Sequence, residues 1–309
     1  MDPLSTIRES WAWPEKVSTL LPSLAAEGLR IVRWDEFAQR FAVDVLGSTV
    51  FGYDFETLKA QSVFVREYNS VMRGIADPIY LIAPFLEKIV PRKTLLRRID
   101  NLTEQFLALL KAKEEAPGDD MMSYMLQNEL RDNMILLFIS DQSFNDALSA
   151  TQLNSTIQRR ARAEIAAAVT ADLTADNLSA ASLPFLNACI REALRINTPI
   201  SYVIPRTSAA DAQLGRYAIL ADPHVFRPER FLEEAQLKMK SCVPFAPGPR
   251  QCPARNFAIY EQRALAAVLL RDYEWELPAG PKHAEKIQAV FSPFALTVPD
   301  ELELAFRRI

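Results

Sequence analysis

A proline- and glycine-rich stretch near the C-terminal end decides the fold of this chain: Phe245-Ala-Pro-Gly-Pro-Arg-Gln-Cys252, followed by a helical pattern at residues 255–271. A cysteine just before a helix lies near unpaired backbone N–H groups and the positive end of the helix dipole. That setting favours the thiolate, which can act as a nucleophile, a redox thiol or a metal ligand. A catalytic cysteine needs a nearby base, and the sequence nominates neither of its two histidines, His224 and His283, for that task.

The composition is that of an ordinary globular chain. Its 309 residues, 49% of them hydrophobic and 24% charged, suffice for one large domain and exclude wholesale disorder. A net charge of −4 lacks the basic footprint of a nucleic-acid-binding protein. Three widely spaced cysteines do not form a disulfide framework, and no apolar run approaches the ~18 residues of a membrane-spanning helix. We therefore expect a soluble chain in a reducing compartment.

Hydrophobic periodicity predicts helices through most of residues 5–197. The predicted helices cover residues 34–52 (ending at Gly52), 56–75, 94–115, 121–139, 158–169 and 183–196. After Thr198, frequent prolines indicate an irregular but rigid section, followed by a helix at 255–271 and short strands at 273–277 and 287–298. The sequence thus predicts a single mainly α domain, 1–309, with a small β component; residues 1–197 form its helical part.

The cysteine stretch also matches a known motif, F-x-x-G-x-R-x-C. The residues that form it are Phe245, Gly248, Arg250 and Cys252. Here the chain resembles the cytochrome P450 family, and in texture its fungal members. The resemblance implies that these four residues bind haem in a proximal part at 198–309, with Cys252 as the axial ligand to iron and Arg250 paired with a haem propionate. Phe245 would pack beside the sulfur. Two positions depart from the usual pattern, Ala246 and Ala254.

Two further motifs follow the order of the family. Glu192-Ala-Leu-Arg195 is an E-x-x-R pair, whose i, i+3 spacing puts both side chains on one helix face. Alone, such a pair is equally well a solvated surface contact. Pro228-Glu229-Arg230-Phe231 resembles the PERF motif, and the resemblance implies a buried triad of Glu192, Arg195 and Arg230 behind the haem. Since buried charges are tolerated only when mutually satisfied, this triad should lock the proximal side rather than catalyse.

The sequence also departs from the family in three places, and we expect an incomplete member. The chain is expected to start after the membrane anchor, N-terminal sheet and early helices that membrane-bound members have, and the connection around residues 215–223 is shorter than usual. On the distal helix, Phe144 stands where the family has a threonine that delivers protons. Asp141 or Ser143 could serve if the helix register shifts; otherwise they are ordinary polar turn residues.

The resemblance implies a haem-thiolate monooxygenase that inserts one oxygen atom from dioxygen into a small hydrophobic organic substrate, with secondary metabolism as the expected setting. The implied cofactor is heme b (iron protoporphyrin IX), with electrons from NADPH through a partner like NADPH-cytochrome P450 reductase. The candidate docking surface for that partner is basic, with Lys238, Lys240, Arg255 and Arg263, although a plain solvated face is the alternative.

The location expected of the chain as written is cytoplasmic, whereas family members are often anchored to the endoplasmic reticulum. The alternative function is that of a catalytically impaired helical protein derived from the family, with weak or no haem binding. The substrate and its site of oxidation cannot be deduced from the sequence.

Overall fold

The computed structural model describes residues 30–58, 63–75, 77, 79–80, 83, 85–118, 120, 122–123, 155–169, 174, 176–198, 225–232, 244–246, 248, 251–252, 255–278, 280, 288–292 and 296–309. The α-helices in these ranges are α1 (Trp34–Leu46), α2 (Val63–Ile75), α3 (Leu86–Ile89), α4 (Lys93–Glu115), α5 (Ser155–Ala168), α6 (Pro184–Ile196) and α7 (Arg255–Asp272). A π-helical segment, Gly47–Phe51, continues α1. The strands are β1 (Arg30–Arg33), β2 (Tyr273–Glu276), β3 (Ala289–Ser292), β4 (Leu296–Pro299) and β5 (Glu303–Arg308).

Six of the seven predicted helices are present, with shifted ends. Those predicted at 94–115, 158–169, 183–196 and 255–271 are α4, α5, α6 and α7. The helix predicted at 56–75 begins only at Val63, and the one predicted at 121–139 lies almost wholly outside the described residues. Together with the short strands, these helices confirm a mainly α fold with a small β component.

Two strands lie where the sequence pattern predicts none. β1 contradicts the helical prediction for residues 5–197, and β5 occupies the C-terminal end. β5 is the central strand of a three-stranded sheet in the order β1-β5-β2, antiparallel to both neighbours. A four-residue strand is too short for a two-residue period to stand out, and β1 is stabilised by a partner at the opposite end of the chain.

The chain divides into two compact units. One comprises residues 1–16, 36–141 and 291–294, and the other residues 17–35, 142–290 and 295–309. β3 and β4 form a separate two-stranded sheet. Among the described helices, none combines the length and the apolar content that crossing a membrane requires.

In the first unit, a buried carboxylate organises the chain after α1. The Asp44 side chain accepts the backbone N–H groups of Thr57 at 2.8 Å and Leu58 at 3.1 Å. Gly52 ends the π-helical segment with a φ of 55°, a left-handed conformation that glycine adopts without a steric penalty. The helix end predicted at Gly52 is therefore confirmed.

In the second unit, α5 is tied to the junction between α7 and β2. The Arg162 guanidinium donates from Nε to the Leu270 carbonyl at 2.8 Å and from Nη2 to the Tyr273 carbonyl at 2.9 Å. Leu270 lies in the last turn of α7, where carbonyls lack intrahelical partners, so Arg162 supplies a donor to one of them. On the sheet, the Trp275 ring lies 5.7 Å from the Phe306 ring in a small aromatic cluster.

α7 is the central helix of this unit. All ten residues at 261–270 are buried. The helix contacts α5, α6 and β2, so it is enclosed by partners on several sides. Because α7 begins three residues after Cys252, its position determines where the cysteine loop is attached.

Candidate functional site

The loop that carries Cys252 is closed by its own backbone. The Cys252 N–H donates to the Phe245 carbonyl at 2.9 Å, and the Gln251 N–H donates to the Gly248 carbonyl at 3.0 Å. Two loop residues are left-handed, Gly248 with φ of 79° and Ala246 with φ of 55°. A residue with a Cβ is disfavoured in that conformation by about 1–2 kcal/mol. This explains glycine at 248 and makes Ala246, already unusual in the motif, a strained position.

Cys252 has a free thiol and is half-buried. The Arg255 N–H donates to the Cys252 carbonyl at 3.3 Å, which joins the cysteine to the first turn of α7. Cys189, in contrast, is fully buried in α6, and burial raises the pKa of its thiol. Of the two cysteines in the described part of the chain, Cys252 is the one that an incoming group can approach.

The structure brings Glu192, Arg195 and Arg230 together. Arg195 binds the Glu192 carboxylate through two parallel contacts, Nε to Oε2 at 2.7 Å and Nη2 to Oε1 at 2.9 Å. The Arg230 Nε lies 3.5 Å from Oε1, and the Arg227 N–H donates to the same oxygen at 2.9 Å. The Glu192 side chain is 0% exposed and that of Arg230 only 4%. The E-x-x-R pair is therefore not a solvated surface contact.

Glu229, in the same PERF stretch, reaches a residue that the sequence analysis missed. The Arg160 Nη1 on α5 lies 2.6 Å from Oε1 of Glu229, and its guanidinium stacks 3.9 Å from the centroid of the Phe185 ring. The pair is exposed, so it contributes little to stability despite its short distance. Arg160 lies 69 positions before Glu229, and no local spacing links two residues that far apart.

Glu164 on α5 is a second residue that the sequence analysis missed. Its carboxylate oxygens accept the N–H groups of Phe185 at 2.7 Å and Leu186 at 2.8 Å. These amides belong to the first turn of α6, where helix N–H groups lack intrahelical partners and the dipole favours a negative charge. Glu164 therefore caps, from a neighbouring helix, the helix that carries Glu192.

The prediction of a basic docking surface is wrong for Arg263. Arg263 is only 8% exposed and points into the unit, where it donates to the Leu178 carbonyl and to the Asn187 side chain. Its position in the middle of α7 explains the error, because burial of a helix residue depends on what packs against it. Arg255, at the start of α7, is exposed as predicted.

Several predicted site residues lie outside the described ranges. They are Arg250, the candidate proton-delivery residues Asp141 and Ser143, the neighbouring Phe144, and the basic residues Lys238 and Lys240. The described part of the site therefore consists of the loop around Cys252 and the cluster around Glu192.

The described loop fits a thiolate-bound cofactor. A ligand cysteine must be free of other sulfur atoms and open to one side, and Cys252 meets both conditions. A Cβ added at Gly248 would meet no heavy atom of the described residues within 4 Å, and Gly248 is exposed. Backbone N–H groups in such a turned loop can also stabilise a negative sulfur.

Comparisons with known proteins point to the cytochrome P450 family. The family model for cytochrome P450 matches residues 147–225 and 218–299. Cytochrome P450 monooxygenase aclL of Aspergillus oryzae is 26% identical over 297 residues, covering 82% of this chain and 60% of that protein. Geraniol 8-hydroxylase of Swertia mussotii is 24% identical over 295 residues, covering 79% of this chain and 59% of that protein.

Solved structures show the same fold. The retinoic acid bound cyanobacterial CYP120A1 aligns with a TM-score of 0.76 and 21% identity, covering 99% of this chain and 76% of that one. This chain belongs to the cytochrome P450 family. It spans about three fifths of the length of the curated relatives it matches. The two matched family segments overlap at residues 218–225, a range that includes part of the shortened connection predicted at 215–223.

Proposed function

We propose that this chain works as a haem-thiolate monooxygenase, which inserts one oxygen atom from dioxygen into a small hydrophobic organic substrate. The observation that carries this proposal is the half-buried, free thiol of Cys252 in a backbone-closed loop at the start of α7. Membership of the cytochrome P450 family supports the same chemistry. Secondary metabolism is the proposed setting.

The proposed cofactor is heme b, bound by Phe245, Gly248, Arg250 and Cys252. The Cys252 thiolate would bind the haem iron, and a thiolate ligand would supply the electron density that favours O–O cleavage. In this proposal Phe245 shields the sulfur from water, Gly248 gives the loop its turn, and the Arg250 guanidinium pairs with a propionate.

The Glu192 cluster has a positioning role in the proposal. The buried Glu192 carboxylate joins α6 to the segment at 225–232 through the Arg227 amide and the Arg230 guanidinium, and Arg195, on α6 itself, binds the same carboxylate. Charge-assisted hydrogen bonds of this kind have well-defined directions and hold packed elements in one arrangement. They would keep the proximal side rigid while the chemistry takes place elsewhere.

We further propose that electrons come from NADPH through a reductase-like partner. A basic surface steers an acidic partner, and the exposed Arg255 beside the Cys252 loop is the described candidate for it. Lys238 and Lys240 remain proposed members of that surface. Arg263 is not among them.

The test of the function is haem binding with a thiolate signature. Purified chain is saturated with haem, reduced and exposed to carbon monoxide, and a thiolate-type Soret shift is expected. Cys252→Ser should lose this shift, whereas Cys189→Ala, which removes the buried thiol of α6, should keep it. A folded, haem-supplemented wild-type chain without the shift, or an unchanged shift in Cys252→Ser, would refute the proposal.

A second candidate function is a catalytically impaired member that binds haem weakly or not at all. Phe144 favours it, because phenylalanine cannot relay a proton where the family has a threonine. An oxidation assay driven by peroxide separates the two, since peroxide replaces the reductase and part of the proton delivery. Turnover with peroxide supports the monooxygenase, and haem binding without turnover supports the impaired form.

A further inference from the structure

Arg263 carries a charge in a place where the chain could have used an apolar residue. It lies in the middle of α7 and is only 8% exposed. Its Nε donates to the Leu178 carbonyl at 3.0 Å, and its Nη1 donates to the Asn187 Oδ1 at 2.8 Å. Both acceptors are neutral, and among the described residues no carboxylate forms an ion pair with Arg263. Burial lowers the pKa of its guanidinium, which is the direction expected of a desolvated cation.

A buried charge of this kind is a poor source of stability. Desolvating a guanidinium costs several kcal/mol, and apolar replacements of buried ionic groups are often neutral or stabilising. What hydrogen bonds add is direction, since a donor and an acceptor meet in one geometry only. The contacts of Arg263 therefore define the geometry of the elements around it more than they increase the free energy of unfolding.

The apolar packing of α7 and the hydrogen bonds of Arg263 constrain this helix in different ways. The residues that follow Arg263 on α7 are apolar and buried; Ala264, Ala266 and Ala267 are small, whereas Leu265, Val268 and Leu269 are large. Hydrophobic contact is non-directional, so these side chains favour burial of α7 without requiring one donor–acceptor pairing. The hydrogen bonds of Arg263 add a directional constraint to this packing.

The contact between Arg263 and Asn187 joins the two helices that carry the parts of the proposed site. Asn187 lies on α6, the helix that also carries Glu192, and α7 begins three residues after Cys252. A shift of α7 along or about its axis would move the attachment point of the cysteine loop. We propose that Arg263 is a positioning residue: its bonds to Asn187 and to the Leu178 carbonyl hold α7 in one register against α6, and so hold the Cys252 loop in one position.

This inference rests on the proposed function for its spectroscopic consequence, but its mechanical part can be measured without haem. The variants are Arg263→Met, Asn187→Leu and the double variant of both. Arg271→Met is the matched control, because Arg271 is an exposed arginine on the same helix, paired with Asp272. Each is prepared as the full chain, with and without haem.

In the haem-free chain, amide hydrogen exchange is followed in peptides covering residues 251–262, with α4 as the internal reference. We expect Arg263→Met to exchange about tenfold faster there, the factor that corresponds to losing a charged hydrogen bond. Its thermal midpoint should change little or rise, which a merely structural stabiliser would not allow. The double variant should be no worse than Arg263→Met, since it also removes the Asn187 acceptor that Arg263→Met leaves without this donor, while the Leu178 carbonyl loses its donor in both.

With haem bound and reduced under carbon monoxide, Arg263→Met should show a mixture of two species, in which only part of the haem has the thiolate-type Soret band. Arg271→Met should keep the full wild-type band. Wild-type exchange at 251–262, or faster exchange confined to residues 174–187, overturns the inference. If wild type itself lacks the thiolate band, the proposed function fails and the exchange measurement alone decides the inference. If Arg263→Met does not fold, Asn187→Leu is measured in its place with the same two outcomes.

Discussion

The carboxylates of Glu192 and Glu229 offer a test of how burial sets the strength of an ion pair. The contact of Glu192 with Arg195 spans 2.7 Å, and that of Glu229 with Arg160 spans 2.6 Å, so the distances are nearly equal. Their surroundings differ. The Glu192 side chain is 0% exposed and that of Glu229 is 42% exposed. The perturbation is the same in both cases, Glu192→Gln and Glu229→Gln, which remove the charge and preserve the shape.

The magnitudes follow from burial. Removing one partner from a buried ion pair costs about 3–5 kcal/mol, because the remaining charge stays in a low-dielectric site. The Glu192 carboxylate also accepts the Arg227 N–H and forms an ion pair with Arg230, so it contacts three partner residues rather than one. An exposed pair such as that of Glu229 contributes roughly 0–1 kcal/mol, since water replaces the lost partner. We therefore expect the free energy of unfolding to fall at least three times more for Glu192→Gln.

The assay is urea unfolding at pH 7 followed by circular dichroism, with the slope of each transition checked for equality. If the Glu229→Gln variant folds and the Glu192→Gln variant does not, the result agrees with the expectation. A loss of about 3–5 kcal/mol is a large share of the free energy of unfolding of a domain, which is roughly 5–15 kcal/mol. Equal losses for the two variants would refute the reasoning, since distance and not burial would then set the strength.

Three further predictions concern the loop, a helix cap and a surface pair. Because residues 246 and 248 both have left-handed backbone conformations, Ala246→Gly should stabilise the chain by about 1 kcal/mol and Gly248→Ala should destabilise it by about 1–2 kcal/mol. The measurement is thermal unfolding, and a change of stability in the same direction for both variants would contradict this. Glu164→Ala should cost about 1–2 kcal/mol and speed amide exchange at the start of α6, and unchanged exchange there would exclude the cap. The hydrogen bond from Arg98 holds the pKa of the Glu67 carboxyl below its usual value. The contact therefore stabilises the fold above the pKa that Glu67 has in the unfolded chain, and this stabilisation is lost as the pH falls through the pKa of the folded state. An NMR titration of the Arg98→Met variant should show the Glu67 pKa raised, and an unchanged titration would contradict the pairing.

Much of the fold could be predicted because its signals are local. Helix α4 shows its amphipathic period over 23 residues, and Gly52 ends the segment after α1 by a backbone preference that belongs to one residue. The strand β1 could not be predicted, since four residues carry too little pattern and its pairing with β5 joins opposite ends of the chain. The start of α2 was placed too early for the related reason that helix ends depend on capping and tertiary contacts.

The site divides in the same way. Cys252 and Gly248 can be recognised from the sequence because the residues that form the loop follow one another in the chain. Glu192 and Arg195 can be recognised because they lie one helix turn apart. Arg160 and Glu164 were missed, because their partners lie on other elements. Arg263 was assigned to the wrong surface, since a helical arginine has the same local pattern whether it faces solvent or the core.

The amino-acid order alone determined the family of this protein, the helical class of its fold and the cysteine proposed to bind iron. These properties depend on backbone preferences and on residues a few positions apart. The tertiary structure decided which charges are buried: it enclosed Glu192 and Arg263, left Glu229 and Arg255 at the surface, and put a C-terminal strand at the centre of a sheet. Burial is set by segments that meet only when the chain has folded, and it is burial that makes a charged side chain either costly or dispensable.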